Sequence, residues 1–238
     1  KKDFVPVYWM ASEDHDFEEI NHANVFGKKV VWNSSQKGAV GEFSTEGLQE
    51  VITELKTILG DNEKSNELIQ LFEKAYTNYS NLADATRYLV NELFGEYGVV
   101  ILDGNDANLK QLFKGEFKKD IFENTSAQLV NKTIEELKVN YSAQVTPRDI
   151  NVFYKEQGLR ERIEKQGNDY VVLNTDIKFT EQELNNIIET TPEKLSPNVV
   201  LRPLYQQKIL PNIAYVGGPG EIAYWLEYKT MFDEFKIH

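Results

Sequence analysis

The run Phe4-Val5-Pro6-Val7-Tyr8-Trp9-Met10-Ala11 is apolar without alternation and ends on Ser12-Glu13-Asp14-His15-Asp16. A short continuous apolar run that stops on polar residues reads as a strand buried on both faces, as in parallel sheets. Ligands of open α/β sheets sit beyond the carboxyl ends of such strands. The polar residues that follow are therefore a candidate site, and four of those five can ionise. Carboxylates packed around one imidazole raise its pKa, and the resulting pairs can hold a hydroxyl, an amine or a cation. His15, with Glu13, Asp14 and Asp16, forms the candidate catalytic set. A second reading stays open: a helix N-terminus decorated with acids favours the helix dipole and needs no ligand.

Two more apolar runs extend the pattern. Gly98 to Leu102 reads as a buried strand, followed by Asp103-Gly104-Asn105-Asp106, which reads as turn chemistry. Ile213 to Val216 reads as a third strand. It runs into Gly217-Gly218-Pro219-Gly220-Glu221-Ile222-Ala223-Tyr224-Trp225. Pro219 suits a first helical turn, and the glycines let the backbone turn sharply and approach a ligand. Free N–H groups at such a junction suit a phosphate or carboxylate. A tight turn with glycines serving geometry alone is the other reading, since neither a GxGxxG nor a P-loop pattern is complete. Strands separated by helices predict an α/β fold with a doubly wound parallel sheet. Both junctions then fall on one sheet edge, which predicts a pocket there.

Between these runs, Lys29 to Asn33 reads as a short strand. Ser44-Thr45-Glu46 starts a helix that Gly60 stops, and residues 65–94 read as two helices divided near Tyr79-Ser80-Asn81. Glu116 to Tyr141 is mainly helical. Strand-like runs at 151–154 and 169–173 are punctuated by Gly158 and Gln166-Gly167-Asn168, which marks a β-containing insertion. Thr180-x-x-Glu183 is a capping box, stapled by Phe179 and Leu184. The expected division is 1–145 core, 146–194 insertion and 195–238 return to the core.

Composition narrows the function classes. At 41% hydrophobic and 27% charged, these 238 residues match a cytosolic globular domain able to bury a sizeable core. No stretch of 18 uncharged apolar residues is present, so no membrane partner is expected. The absence of cysteine excludes disulfides, thiol catalysis and cysteine-ligated metals. A net charge of −12 argues against nucleic acid and requires any phosphate site to be locally basic or built from backbone N–H groups. His15 and His22 would share a face if they lay on one helix, but the spacing is not HExxH and no metal ligand set can be named. Arg202, in Leu201-Arg202-Pro203-Leu204-Tyr205, either pairs with a nearby acid or grips a carboxylate or phosphate bidentately. Arg160 and Arg162 offer the same chemistry, with Arg160 assigned to the cofactor.

The stretch Pro6 to His22 closely resembles a signature of the bacillithiol biosynthesis cysteine-adding enzymes, the BshC family. Leu195-Ser196-Pro197-Asn198-Val199-Val200-Leu201-Arg202-Pro203-Leu204-Tyr205-Gln206, Leu210-Pro211 and the 217–225 loop match in order and spacing, as does Leu93 to Asp103 more softly. Members of that family are longer, with a glycine-rich segment upstream and a coiled coil downstream, so the chain looks like a central fragment. The resemblance implies a Rossmann-like core with a connecting-peptide-like insertion. It also implies a cytoplasmic ligase that joins the L-cysteine carboxyl to the amine of glucosaminyl malate. Carboxyl activation implies ATP, or an ADP-bound state, with Mg²⁺.

On that reading His15 binds or deprotonates the attacking amine, and Glu13, Asp14 or Asp16 orients it. Gly217, Gly218 and Gly220 stabilise charge on the transferring group or on malate, and Arg202 holds a malate carboxylate. Asn21, Asn198, Tyr205 and Gln206 supply hydrogen bonds to sugar hydroxyls. Glu221 and Tyr224 complete the substrate-binding set, although Tyr224 and Trp225 can also serve the core. The intact protein is expected to dimerise through the coiled coil, and this chain to be a monomer. A non-catalytic nucleotide or small-molecule binding module, and a metal-dependent hydrolase built on Glu13, Asp14, His15, Asp16 and His22, are the alternatives.

Overall fold

The computed structural model describes residues 4–237, and the chain divides into two compact units. The first holds residues 4–104 together with Glu156–Leu159, the second residues 105–155 and 160–237.

In the first unit β1 (Val7–Met10) pairs in parallel with β4 (Val100–Asp103), in the register Val7 to Val100 through Met10 to Asp103. Parallel strands need a long crossover, and three helices supply it: α2 (Leu48–Leu59), α3 (Glu63–Asn78) and α4 (Leu82–Phe94). Their ends follow the sequence signals. Gly60 ends α2 at a φ of 75°, which a side chain disfavours. The Asn62 and Asn81 side chains accept from the Ser65 and Asp84 amides at the starts of α3 and α4. The expected division of residues 65–94 falls where the structure puts it, at 79–81.

One expectation in this unit needs correction. β1 and β4 are not buried on both faces: Val7, Tyr8 and Val100 are exposed and only Met10 is buried. The acidic junction opens a single helical turn, α1 (Phe17–Ile20), with Asp16 at its N-cap and Glu18 and Glu19 in its first turn. The chain then turns back as a hairpin of β2 (His22–Val25) and β3 (Lys28–Val31), antiparallel, with Phe26 and Gly27 at positive φ in its turn. His15 and His22 therefore lie on different elements. The core of this unit gathers Trp32, Val40, Phe43 and Leu48, with the Phe17 ring edge-on to Trp32 at 5.1 Å.

The second unit carries α5 (Ala107–Gln111), α6 (Lys114–Glu123) and α7 (Thr125–Leu137), then a five-stranded sheet ordered β8-β7-β6-β5-β9. Its strands are β5 (Val152–Glu156), β6 (Leu159–Gln166), β7 (Asp169–Val172), β8 (Lys178–Phe179) and β9 (Leu195–Pro197). The capping box on α8 (Glu181–Thr190) forms as expected. Beyond β9 come α9 (Arg202–Ile209), α10 (Pro219–Trp225) and α11 (Lys229–Glu234).

The run Ile213 to Val216 forms no strand. Ile213 is 74% and Val216 96% exposed, so the apolar pattern here marks a surface segment, and the third parallel strand is absent at this point. Loop 217–221 cannot be placed at a strand end, and the reading of two strand-end junctions on one edge loses its second member.

Candidate functional site

The acidic loop of the first unit is fastened through its backbone, while Asp14, His15 and Asp16 are exposed. The Ser12 carbonyl accepts from the Gly41 amide and the Asp14 carbonyl from the Val40 amide, both at 2.7 Å. The buried Ser12 hydroxyl donates to Asp103 at the end of β4. Asp103 also meets Arg87 at 3.5 Å, and Arg87 meets Asp84 at 3.1 Å. Gly41 must be glycine, because a Cβ there would lie 2.5 Å from that of Ser12.

Beside this loop is a cavity of about 300 Å³, lined by Tyr8, Met10, Ser12, Tyr76 and the acids Asp14, Asp16 and Glu19. Burial, then the neighbouring Tyr8, pushes the Tyr76 phenol above its usual range. Ile20, Tyr76 and Leu82 also wall a second, apolar chamber of about 350 Å³ between the hairpin and helices α2 and α3.

His15 is exposed on the same loop and does not line the cavity; its Nε2 is 3.8 Å from Asp16 Oδ1. Both groups are roughly half exposed, so water screens this pair. Asp16 takes the N-cap position of α1 without a side-chain capping bond, which leaves its carboxylate available to the cavity. Glu13 is half-buried. Asn21 turns its Oδ1 to His22 Nδ1 at 3.0 Å and lines the apolar chamber, away from the acid cavity.

The second unit holds a cluster centred on Arg202, the first residue of α9. Its guanidinium pairs with Glu221 of α10, donates to Gln206 Oε1 at 2.9 Å, and reaches the Tyr215 hydroxyl at 3.5 Å. Burial pulls the Arg202 pKa down, but the nearby Tyr215 and Glu221 outweigh it and the net shift is upward. Burial, with a hydrogen bond to Glu221, pushes Tyr215 up to about 12, so it is a neutral hydroxyl at any working pH. The Tyr215 ring stacks on Trp225 at 4.4 Å and 14°. Burial also raises the Tyr224 phenol.

Of the two readings of this loop, the structure gives a geometric role to Gly217. None of Gly217, Gly218 and Gly220 has a positive φ. Gly217 is required because a Cβ would meet the Tyr215 ring at 2.8 Å, while Gly218 and Gly220 face open space. α10 is only seven residues long, so its dipole is small.

Other expected ligand-binding residues are spent on structure. Tyr205 is fully buried, edge-on to Phe113 at 5.0 Å with the Lys110 ammonium 5.1 Å over its ring. Gln206 is buried and engaged by Arg202. Asn198 Oδ1 accepts from the Val200 and Leu201 amides, and its Nδ2 donates to Asn151 at 3.0 Å. Arg160 is buried, donating to Ser196 Oγ at 3.0 Å and the Pro197 carbonyl at 3.3 Å, with its guanidinium 4.0 Å over the Phe153 ring. It braces the sheet and is not free to hold a cofactor.

Sequence reasoning missed Asp103, taken as turn chemistry, and the buried relay Asp120–Asn151–Asn198 beneath α9. Asp120 accepts from the Asn151 amide at 2.6 Å and its Nδ2 at 3.2 Å. The relay's signal is an acid and an asparagine each at a core position of an otherwise apolar pattern. For Asp103 the signal was its place at the end of a parallel strand.

A family model described as "Bacillithiol biosynthesis BshC, N-terminal Rossmann-like domain" matches residues 1–238. The protein named "Putative cysteine ligase BshC" from Flavobacterium psychrophilum is 53% identical, over 98% of this chain and 44% of its own length. Its namesake from Cytophaga hutchinsonii is 51% identical, over 97% of this chain and 42% of its own. The Staphylococcus haemolyticus namesake is 32% identical, over 96% and 45%. The chain thus spans less than half the length of these curated relatives.

Proposed function

This chain belongs to the BshC family of bacillithiol biosynthesis and has its Rossmann-like α/β fold, and on that premise we propose that it carries part of a cysteine ligase. The reaction is the last step of bacillithiol synthesis: the carboxyl of L-cysteine, activated by ATP, forms an amide with the amine of glucosaminyl malate. The substrates are cytoplasmic metabolites, and so is the site of action.

The observation that carries this reading is the acid-lined cavity at the carboxyl end of β1, the strand that pairs with β4. Asp14, Asp16 and Glu19 favour a cationic group there, and a glucosamine amine is an ammonium at neutral pH. The amine must lose a proton before it attacks. His15, exposed on the same loop beside Asp16, which does line the cavity, takes that proton. In the second unit, Arg202 suits a carboxylate or phosphate of a substrate that displaces Glu221. Among the described residues no three His, Asp or Glu side chains are grouped as a metal ion needs. Mg²⁺ would then arrive on the phosphates of ATP, as it commonly does. The same observation weighs against the metal-hydrolase alternative.

The test is a mass-spectrometric assay of the whole protein with glucosaminyl malate, L-cysteine and Mg-ATP. The expected result is the dehydrated cysteine conjugate, with ADP or AMP defining the activation. Substrates that bind without turnover would replace this reading with that of a binding module. For the chain of 238 residues alone, light scattering is expected to give a monomer, with dimerisation left to the rest of the whole protein.

A further inference from the structure

We propose that Asp103 is a positioning residue for the acidic loop, holding Ser12, and through it Glu13 to Asp16, at the mouth of the cavity. The inference rests on the functional reading of that cavity and deepens it by naming what fixes its geometry.

Three fasteners converge on this loop. Two are backbone bonds, from the Val40 and Gly41 amides to the Asp14 and Ser12 carbonyls at 2.7 Å. The third is the bond from the Ser12 hydroxyl to Asp103, 91 residues away in sequence. Asp103 lies at the last paired position of β4, opposite Met10. It therefore ties the loop leaving β1 to the strand beside it. A hydrogen bond to a carboxylate is about twice as strong as one between neutral groups. A bare carboxylate would also repel the acids it positions. Arg87, at 3.5 Å from Asp103, supplies the compensating charge; the ionisable groups near the loop include Glu13, Asp14, His15 and Asp16 on it, Glu19 on α1, Asp84 and Arg87 on α4, and Asp103 on β4. Ser12 is buried and Asp103 nearly so, with 13% of its side chain accessible, so water competes weakly for this bond.

The test is amide hydrogen exchange of the whole protein, read at Val40 and Gly41, with Ile69 and Ala75 in the core of α3 as the reference for global opening. Asp103→Ala is expected to speed Val40 and Gly41 exchange by about tenfold, the worth of one such bond, with the α3 amides unchanged. Asp103→Asn keeps an acceptor for the Ser12 hydroxyl and is expected to restore much of the protection. Should Asp103→Ala fail to fold, Ser12→Ala removes the same bond from its other end. Ser12→Ala and the double variant are expected to exchange no faster than Asp103→Ala, because the Ser12–Asp103 bond is lost in all three. Additive effects, or Val40 and Gly41 rates unchanged in either single variant, overturn the proposal.

In the conjugate assay Asp103→Ala is expected to raise KM for glucosaminyl malate more than it lowers kcat, with partial rescue by Asp103→Asn. A KM that does not move overturns the link from loop to site. Wild-type protein that makes no conjugate overturns the functional reading instead, and the exchange result stands independently of it.

Discussion

In the first unit the candidate side chains are open and the backbone beneath them is fixed, whereas in the second the candidate side chains are fixed to one another. Asp14, Asp16 and His15 point to water from a loop pinned at Ser12 and Asp14. Arg202 already carries a counterion in Glu221, and Tyr215, Gln206 and Trp225 complete the cluster around it. In the acidic array Asp14 and Asp16 line the cavity as exposed carboxylates and can attract a cation. The basic one must exchange a partner to bind an anion, which costs affinity and adds selectivity, because only a group better than a carboxylate at this geometry gains from the exchange. Net charge sharpens the contrast. At −12 the chain repels anions at long range, and a free exposed arginine would do little against that field.

The largest expected effect separates a guanidinium spent on structure from one kept for a ligand. Arg160→Ala removes two hydrogen bonds and the stacking on Phe153 from inside the sheet. The loss is expected to be roughly 3 kcal/mol, because the Ser196 hydroxyl and Pro197 carbonyl are left buried without that donor. Arg160→Lys rescues little, since an ammonium cannot reproduce the planar fork. Denaturant midpoints measure both. A loss below about 0.5 kcal/mol would make Arg160 dispensable to the fold and return it to the pool of ligand-binding candidates.

Asp120 gives the next effect and concerns how the second unit holds α9. Burial, against the opposing hydrogen bonds from Asn151, raises its pKa from 3.8 to about 6. The folded state thus binds this proton more tightly than the unfolded state. Stability from this group is fully present below about pH 4, declines as pH rises toward 6, and is flat beyond. The span is at most about 3 kcal/mol. Asn151 passes the link on to Asn198, whose carbonyl accepts from the Arg202 amide at 2.9 Å. The pH slope between 4 and 6, taken as the difference between wild type and Asp120→Asn in urea titrations, is expected to carry that sign. An opposite slope would show that Asp120 is held as a carboxylate.

Much of the fold was legible where local signals agree with packing. Gly60, the asparagine caps at 62 and 81, and the Thr180–Glu183 box each mark an element end by their own chemistry. Apolar runs were less reliable. Phe4 to Ala11 does contain a strand, but Ile213 to Val216 does not, and nothing local distinguishes an apolar segment buried by partners from one left on the surface. At the site, sequence located the acidic loop and Arg202 but not their partners. Asp103 lies 91 residues from Ser12, and Glu221 lies 19 from Arg202. Only the fold brings such pairs together. Sequence could not show that Tyr205 and Arg160 are buried, or that Asn198 and Arg160 spend their polar groups on partners within the protein.

Glu221→Gln tests the exchange of partners directly. The glutamine keeps its size and one acceptor but loses the charge that offsets Arg202. Calorimetry with L-malate as the probe is expected to show about tenfold tighter binding, the 1.4 kcal/mol scale of one charge-assisted bond no longer displaced. Weaker binding would mean that Glu221 itself contacts the ligand and that the pair is part of the site and not its latch.

The smallest expected effect on the fold falls on the residue with the largest assigned chemistry. His15 is exposed, and its contact to Asp16, at 3.8 Å between groups 46% and 60% accessible, is open to water. Its replacement by alanine is expected to change stability by less than about 0.5 kcal/mol, as for other exposed positions. Any fall in conjugate formation by His15→Ala then reports chemistry at the imidazole and not damage to the loop. That inference has no counterpart at Arg202, where truncation also breaks the cluster that positions α10. The open array can therefore be tested one side chain at a time, while the closed one has to be tested by exchange of partners. If His15→Ala keeps full turnover across the pH range of the reaction, the proton from the amine leaves by another route, and Asp14 and Asp16, which line the cavity itself, become the groups to replace next.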